Sequence, residues 1–451
     1  MLDTLPAGGT MLPPYCLALP FITLLLMIAT GPLLFPHFWH KHYPKVAILL
    51  ASFVMAYYCI VLENKIKPVE AAAEYIQFIS LITALYMATN GILIKIHART
   101  TPLANIILLF IGALAANVIG TTGASMLFIR PYIRLNKHRI KSYHIVFFIF
   151  IVSNIGGALT PIGDPPLFLG FLKGIPFGWT LIHNFLPWLI AILMILSIFY
   201  ILDKSNKDLS DPQYTNYSRK GMISIRGSKH LIWLGIIMGA VFLDVTMLPW
   251  LPTIAYHGHH ISFVRELIML IVAALAYYTS DKKVLISNEF NFEPLYEVCL
   301  IFIKNFGTMI PALELIGSFA QSEWGKQLIT PTNLYWGSGV FSAILDNAPT
   351  YLNFVTASMA SHGADISLVA SVQAYAAGGI YPNSVMELKA ISLASVCFGA
   401  MTYIGNGPNF MVKSIAEQAG IKMPSFGKYI YRFSLPFLFP ILFIIWVLFF
   451  S

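Results

Sequence analysis

Charge is what this sequence has least of: Asp, Glu, Lys and Arg together make up 11% of its 451 residues, against 57% hydrophobic residues. A soluble domain of this size cannot cover its surface from that inventory. Cysteine is scarcer still. Cys16, Cys59, Cys299 and Cys397 lie scattered in apolar sequence without a CxxC, which argues against a disulfide framework or a zinc site and leaves buried thiols as the expectation. No GxxxxGK[ST] loop occurs, so ATP-driven work at such a loop is excluded, and no cofactor is expected. The net charge is +8, yet no stretch interleaves basic with aromatic residues, and nucleic acid is not an expected partner. Ahead of the first apolar run stands only Asp3, with no basic region and no small-residue cleavage site, so that run reads as a retained helix rather than a signal peptide.

What is present is a succession of apolar runs long enough to cross a bilayer core, and the expected class is an all-α polytopic membrane protein with the lipid bilayer as its first partner. Spans are expected near 14–35, 45–62, 75–95, 143–172, 184–202, 230–248, 262–279, 294–320, 390–412 and 433–450, about ten crossings. Two further stretches, 103–129 and 332–360, carry a polar turn at their centre, Gly120-Thr121-Thr122-Gly123 and Asp346-Asn347-Ala348-Pro349. Each arm of roughly 13–15 residues makes about 20 Å of helix, which reaches the midplane and no further, so both read as re-entrant hairpins.

The basic residues test that reading. With both hairpins returning to their starting side, the loops 36–45, 95–102, 130–142, 203–229, 280–292 and 413–432 share one face and hold most of the 28 Lys and Arg. Lys65, Lys67, Lys173, Lys326 and Lys389 fall on the other face, and Arg265 and Lys304 inside spans. The positive-inside rule makes the rich face cytoplasmic and puts both termini outside. Each half then runs three spans, a hairpin, a broken span and a final span, the first beginning outside and the second inside. The expected organisation is two inverted repeats, 1–202 and 230–451, joined by a polar cytoplasmic linker, 203–229.

A repeated segment supports the duplication. Gly-Ala-Leu-Thr-Pro-Ile-Gly-Asp-Pro-Pro-Leu-Phe at 157–168 returns as Gly-Ala-Met-Thr-Tyr-Ile-Gly-Asn-Gly-Pro-Asn-Phe at 399–410. Both copies put Gly, Pro and polar side chains inside apolar sequence, where a helix must break, and lipid-exposed backbone cannot satisfy such a break. Paired broken segments in two halves point to a transporter's binding site. The polar inventory there is short: Ser153, Asn154, Gly156, Gly157, Thr160 and Asp164 in one break, Ser395, Thr402, Asn406 and Asn409 in the other, with Asn117, Thr121, Thr122 and Ser125 and then Asp346, Asn347 and Thr350 at the hairpin tips. Hydroxyls, amides, carboxylates and freed carbonyls are hard oxygen ligands for an alkali cation. Asp164 and Asp346, one from each half, are the acids expected to exchange a proton for Na⁺. Against this stands a plainer reading, in which Asp164 before Pro165-Pro166, and Asp346 or Asn347 before Pro349, merely cap helices. An Asp near a helix centre disfavours insertion by about 2.5–3.5 kcal/mol, and Ser, Thr or Asn would cap without that cost.

Other charges read less sharply. Arg265 and Glu266 fall near the outer interface; Glu63 and Asp244 sit at outer ends. Lys304 and Glu314 share span 294–320, either with structural partners or lining a cavity. His37, His40 and His42, and His257, His259 and His260, read as solvated loop histidines rather than pH sensors.

Ser153-Asn-Ile-Gly-Gly-Ala-Leu-Thr-Pro-Ile-Gly-Asp-Pro-Pro-Leu-Phe168, with Leu345-Asp-Asn-Ala-Pro-Thr350 and Phe306-Gly-Thr-Met-Ile-Pro-Ala-Leu313, resembles the ion transporter superfamily over nearly the whole chain. Within it the chain looks most like the NhaD-type sodium/proton antiporters and the related citrate transporter (CitMHS-like) family of bacteria. The resemblance implies sodium and substrate sites at Ser153, Asn154, Thr160, Asp164, Asp346, Asn347, Thr402 and Asn406, a bacterial inner membrane, and a homodimer. Anion carriers of the superfamily show Ser-Asn-Thr at both hairpin tips. Here the tips read Gly-Thr-Thr-Gly and Asp-Asn-Ala-Pro, which favours a cation.

The resulting expectation is a non-enzymatic sodium/proton antiporter, with Na⁺ and H⁺ as transported ions at Asp164 and Asp346. Gly157, Thr121, Thr122 and Thr350 complete the expected site. The alternative within the class is a sodium- or proton-coupled carrier of citrate or another organic anion, for which no arginine stands in a broken span or hairpin tip. An intramembrane aspartyl protease is remote: Pro161 stands where its GxGD signature needs glycine, and Pro311-Ala312-Leu313 precedes the second acid. A passive channel fits less well than tight, alternating binding at midplane acids.

Overall fold

A computed structural model describes residues 12–34, 36–96, 100–206, 223–243, 248, 250–256 and 259–451, and these are mostly helical. The helices of the first half are α1 (Leu19–Leu34), α2 (Pro36–Ile60), α3 (Ile66–Asn90), α4 (Pro102–Leu135), α5 (Ser142–Ile151), α6 (Pro165–Lys173) and α7 (Trp179–Lys204). The second half holds α8 (His230–Val241), α9 (Val264–Thr279), α10 (Lys282–Ser287), α11 (Glu293–Gln321), α12 (Glu323–Leu328), α13 (Pro331–Ile344) and α14 (Asn347–Ser361). It ends with α15 (Val369–Ala377), α16 (Ser384–Cys397), α17 (Gly407–Gln418), α18 (Phe426–Tyr429), a π-helical stretch Ile430–Leu438 and α19 (Phe439–Phe449). Two small antiparallel pairs complete it: β1 (Leu93–Ile96) with β2 (Ile223–Arg226), and β3 (Ile254–Tyr256) with β4 (His259–Ile261).

Among the described residues, 7 helices are long and apolar enough to cross a membrane: six fall at expected crossings, and the seventh, α4, at an expected hairpin. The other four expected crossings are shorter for local reasons. The expected span 143–172 consists of two short helices, α5 and α6, and α1, α8 and α9 have 16, 12 and 16 residues. The chain is a mostly helical, multi-pass membrane protein.

One of the long helices does not run straight. An uninterrupted α4 would be about 51 Å long at 1.5 Å per residue, yet Thr100 Oγ1, just before it, donates to the carbonyl of Leu135 at its far end at 2.5 Å. Asn105 and Asn136 also exchange side-chain hydrogen bonds of 2.9 and 2.8 Å. The chain therefore doubles back within α4, and it does so at Gly120, whose φ of 75° and ψ of 155° lie outside the helical region and suit glycine alone. The α13–α14 pair turns back likewise at Leu345-Asp346: the Phe341 and Phe354 rings lie 5.9 Å apart across it. Both folded-back segments begin alike, with Thr101 and Thr330 as side-chain N-caps followed by proline.

The interrupted helices run through the centre. Every residue of α5 from His144 to Ile151 is buried, as is most of α16. Two buried polar clusters tie them to the bases of the folded-back segments. Around Asp203, which is 0% exposed, Arg139 Nη2 and Tyr143 OH donate to Oδ1 at 2.7 Å, Asn105 Nδ2 donates to Oδ2 at 3.0 Å, and His144 Nε2 lies 3.0 Å away. Around Glu387 of α16, Ser358 Oγ donates at 2.6 Å and His362 Nε2 lies 2.9 Å from the same oxygen.

Several sequence readings need correction. The basic segment 130–142 is not simply a loop, because α4 continues through Arg130, Pro131, Tyr132 and Arg134 to Leu135. Of the expected linker 203–229, Asp203 and Lys204 close α7 and Ile223–Arg226 pair with β1, while 207–222 lie outside the described residues. Arg265 and Glu266, expected at the interface, are buried and paired at 2.7 Å. Glu314 accepts a 2.7 Å bond from Tyr58 OH. Of the cysteines only Cys397 is buried, and Cys16 is exposed. Asp244, His257 and the side chains of His37, His40, His259, His260 and Lys304 lie outside the described set.

Candidate functional site

The two breaks are built from the same parts. In the first, Thr160 Oγ1 accepts from the Gly163 amide at 3.1 Å and donates to the Asn117 carbonyl at 2.5 Å. In the second, Thr402 Oγ1 accepts from the Gly405 amide at 3.1 Å and donates to the Ala343 carbonyl at 2.6 Å. Each threonine thus closes its own loop and pins it to the neighbouring folded-back segment, which answers the backbone groups that the break frees. Gly163 and Gly405 serve those loops by close approach: a Cβ on Gly163 would strike the Gly157 carbonyl, and one on Gly405 would lie 2.6 Å from the Gly399 carbonyl. The Thr121 amide donates to the Gly163 carbonyl at 2.8 Å, fixing the tip of α4 against the first break.

This places Asp164 where all four interrupted elements meet. Its side chain is 1% exposed. Oδ1 accepts from Thr121 Oγ1 of the first tip at 2.6 Å and from Asn406 Nδ2 of the second break at 3.0 Å. Oδ2 accepts from Asn347 Nδ2 of the second tip at 2.6 Å. Asp164 stands at the N-cap position of α6 yet makes no side-chain cap bond there. The capping reading fails for this residue and holds for Asp346, whose carboxylate caps α14 through the Ala348 amide at 3.3 Å and accepts from Asn305 Nδ2 at 3.3 Å. Asp346 is half-buried, next to Asn347 but not among the groups bonded to Asp164.

An amide ladder extends the site across the two breaks. Asn406 Nδ2 also reaches the Ser153 carbonyl at 3.1 Å and Asn154 Oδ1 at 3.2 Å, and Asn154 Nδ2 donates to Asn409 Oδ1 at 2.7 Å. Asn409 Nδ2 holds the carbonyls of Gly399 and Thr402 at 2.8 and 2.9 Å. Ser153 and Ser125 share a 2.7 Å hydroxyl contact. The remaining expected residues lie close by in other roles: Gly157 packs against Thr121 and Gly163, and Thr350 returns its hydroxyl to the Asp346 carbonyl at 2.9 Å. Thr122 lines a small cavity beside Asp164.

Phe78, Leu81, Ile82, Leu85 and Tyr86 of α3 form one wall of that cavity, and Ile119–Gly123, Ile162–Pro165 and Phe168 form the other. The α3 wall was not read from the sequence, because an aromatic and aliphatic stripe on a membrane helix looks the same whether it faces lipid, protein or a cavity. The repeat alignment was the signal that located the amides, and its asymmetry, Asp164 against Asn406 and Leu167 against Asn409, leaves one acid among neutral partners.

Three neutral donors, from Thr121, Asn347 and Asn406, converge on the oxygens of one buried carboxylate. A proton or a small bare cation competes with those donors for the same oxygens. Oxygen ligands stand nearby: Asn347 Oδ1 is buried and has no hydrogen-bond partner among the described residues. A single carboxylate with amide, hydroxyl and carbonyl oxygens is a ligand set for a proton or an alkali cation rather than for a transition metal. No curated protein matches the chain. From residue 10 to residue 450, nearly its whole length, the chain matches the family described as "Putative citrate transport" (CitMHS_2), and it belongs to that ion transporter family.

Proposed function

We propose that the protein is a secondary active transporter that carries citrate or a related organic anion, coupled to Na⁺ or H⁺ bound at Asp164. The observation that carries this reading is the buried Asp164 carboxylate, bonded at once by Thr121, Asn347 and Asn406 from the other three interrupted elements. Neutralising that acid removes the reason for its donors to converge, so occupancy of the site is linked to how the two tips and two breaks sit together. Alternating access follows if 1–202 and 230–451 are inverted repeats, joined through 203–229, whose folded-back segments enter the bilayer from opposite faces. The distribution of Lys and Arg supports both termini outside, and a bacterial cytoplasmic membrane and a homodimer belong to the same reading through the resemblance. The family description supports the organic anion.

Sodium/proton exchange without any organic anion is the second reading. It is favoured by the cavity wall, where among the described lining residues none is basic. Reconstitution separates the two. Labelled citrate uptake that depends on a Na⁺ or H⁺ gradient, and is lost in Asp164→Asn, supports the carrier; Na⁺-driven proton flux with no citrate uptake would replace it with the exchanger.

A further inference from the structure

We propose that Arg130 is a docking residue for a carboxylate anion, placed at the Tyr86 end of the cavity beside Asp164. The inference rests on the carried species being an organic acid, and it supplies the cationic group that such a substrate needs.

Arg130 lies on the second arm of α4, seven residues beyond Gly123 of the cavity wall, or about 10 Å along a helix. It is only 8% exposed. One of its nitrogens, Nη2, lies 3.2 Å from Glu289 Oε2. The other two, Nε and Nη1, are buried and have no hydrogen-bond partner among the described residues. A guanidinium stays charged at every accessible pH, and buried N–H groups left without acceptors are costly. The position therefore favours a second anionic acceptor, and the planar fork of arginine matches a carboxylate better than the point charge of lysine does.

The contacts around Arg130 place it close to Tyr86, at one end of the cavity wall. Asn288 Nδ2 holds the carbonyls of Asn90 and Ile92 at 2.8 and 2.9 Å, and Tyr86 OH donates to the Asn291 carbonyl at 2.8 Å. The short stretch 288–291 is thus clamped to the end of α3, and Arg130 meets it there through Glu289. Tyr86 lines the cavity and Arg130 pairs with the same stretch that Tyr86 holds. An organic anion approaching Asp164 would be repelled by that carboxylate across a poorly screened interior. A buried cation one helix segment away offsets the repulsion and holds the anion in wait for the coupling cation. Glu289 is 64% exposed and mounted on a backbone of positive φ, so a substrate carboxylate competes with a partner anchored mainly from the solvent side.

The test is equilibrium binding of radiolabelled citrate and succinate to the purified full-length protein, with cation binding measured in parallel by a Na⁺-dependent shift in thermal unfolding. Arg130→Gln is expected to weaken citrate binding by about tenfold or more and Arg130→Lys by several-fold, since one removes the charge and the other only the fork. Glu289→Gln is expected to tighten it by removing the competitor. All three should keep the Na⁺ shift, whereas Asp164→Asn should lose it. Should Arg130→Gln fail to fold, Arg130→Lys and Glu289→Gln still decide. Unchanged citrate affinity in those two variants overturns the docking role while leaving the Asp164 site standing. Absence of any carboxylate binding by the wild type overturns both the docking role and the carrier reading.

Discussion

Asp164 and Asp346 look interchangeable as letters: each is an acid at a proline-flanked break in apolar sequence. Their surroundings separate them. Asp346 gives one carboxylate oxygen to the α14 amide of Ala348, a task asparagine performs equally well, and the other to Asn305 Nδ2. Asp346→Asn is therefore expected to leave stability and transport near wild type, and Asp346→Ala to cost about 1 kcal/mol in detergent unfolding. Asp164 caps nothing, and its three donors come from other elements. Asp164→Asn is expected to abolish cation-dependent transport while the protein still folds, because it removes a buried charge that is itself expensive. Asn347→Ala is expected to destabilise the unloaded protein by about 1–3 kcal/mol, since a buried carboxylate oxygen loses its donor. Thermal unfolding titrated with Na⁺ checks the stability effects, and gradient-driven citrate uptake in vesicles checks the two transport effects. The polar residues of the site were legible in the sequence as an inventory. Which acid capped and which converged was not, because that depends on contacts between positions more than 180 residues apart in the chain.

At the scale of elements, the breaks themselves were the most readable feature, since Gly and Pro inside apolar sequence carry their meaning locally. The matched roles of Thr160 and Thr402 make a sharp expectation. Each hydroxyl satisfies the amide three residues on and one carbonyl on the adjoining folded-back segment, and Thr402 also accepts from the Ile404 amide at 3.2 Å. Thr160→Val and Thr402→Val preserve shape and delete only those bonds, so each is expected to lower stability by about 1–3 kcal/mol, with the larger effect at Thr402. A larger loss at Thr160, measured by thermal unfolding in one detergent, would show that the second break does not rest on Thr402 in this way. The end of α4 was misread for an equally local reason. Arg130, Pro131 and Arg134 have the composition of a cytoplasmic loop, but the packing that keeps them helical comes from Asn105, Asp203 and Glu289 in distant segments. The seam between α3 and α6 was likewise invisible in the sequence: Lys173 pairs with Glu74 across it at 2.5 Å, both only partly exposed.

For the molecule as a whole, the two buried clusters give the duplication a physical test that sequence similarity cannot. Asp203 gathers Arg139, Tyr143 and Asn105 at the base of the first folded-back segment, and Glu387 gathers Ser358 and His362 at the base of the second. A chain that crosses the bilayer in two opposed copies must present those bases to opposite sides. If instead α4 were a single straight crossing, Thr100 and Leu135 would be separated by a full bilayer, and they are hydrogen-bonded. Single cysteines at Lys137 and at Gly363, each beside one base, are expected to react with a membrane-impermeant maleimide from opposite faces of sealed, oriented vesicles, Lys137→Cys from the cytoplasmic face. The parent protein measures the background from Cys16, the exposed native thiol. Labelling of both from one face would remove the inverted arrangement and with it alternating access, because two segments entering from the same side cannot open the Asp164 cavity to each side in turn.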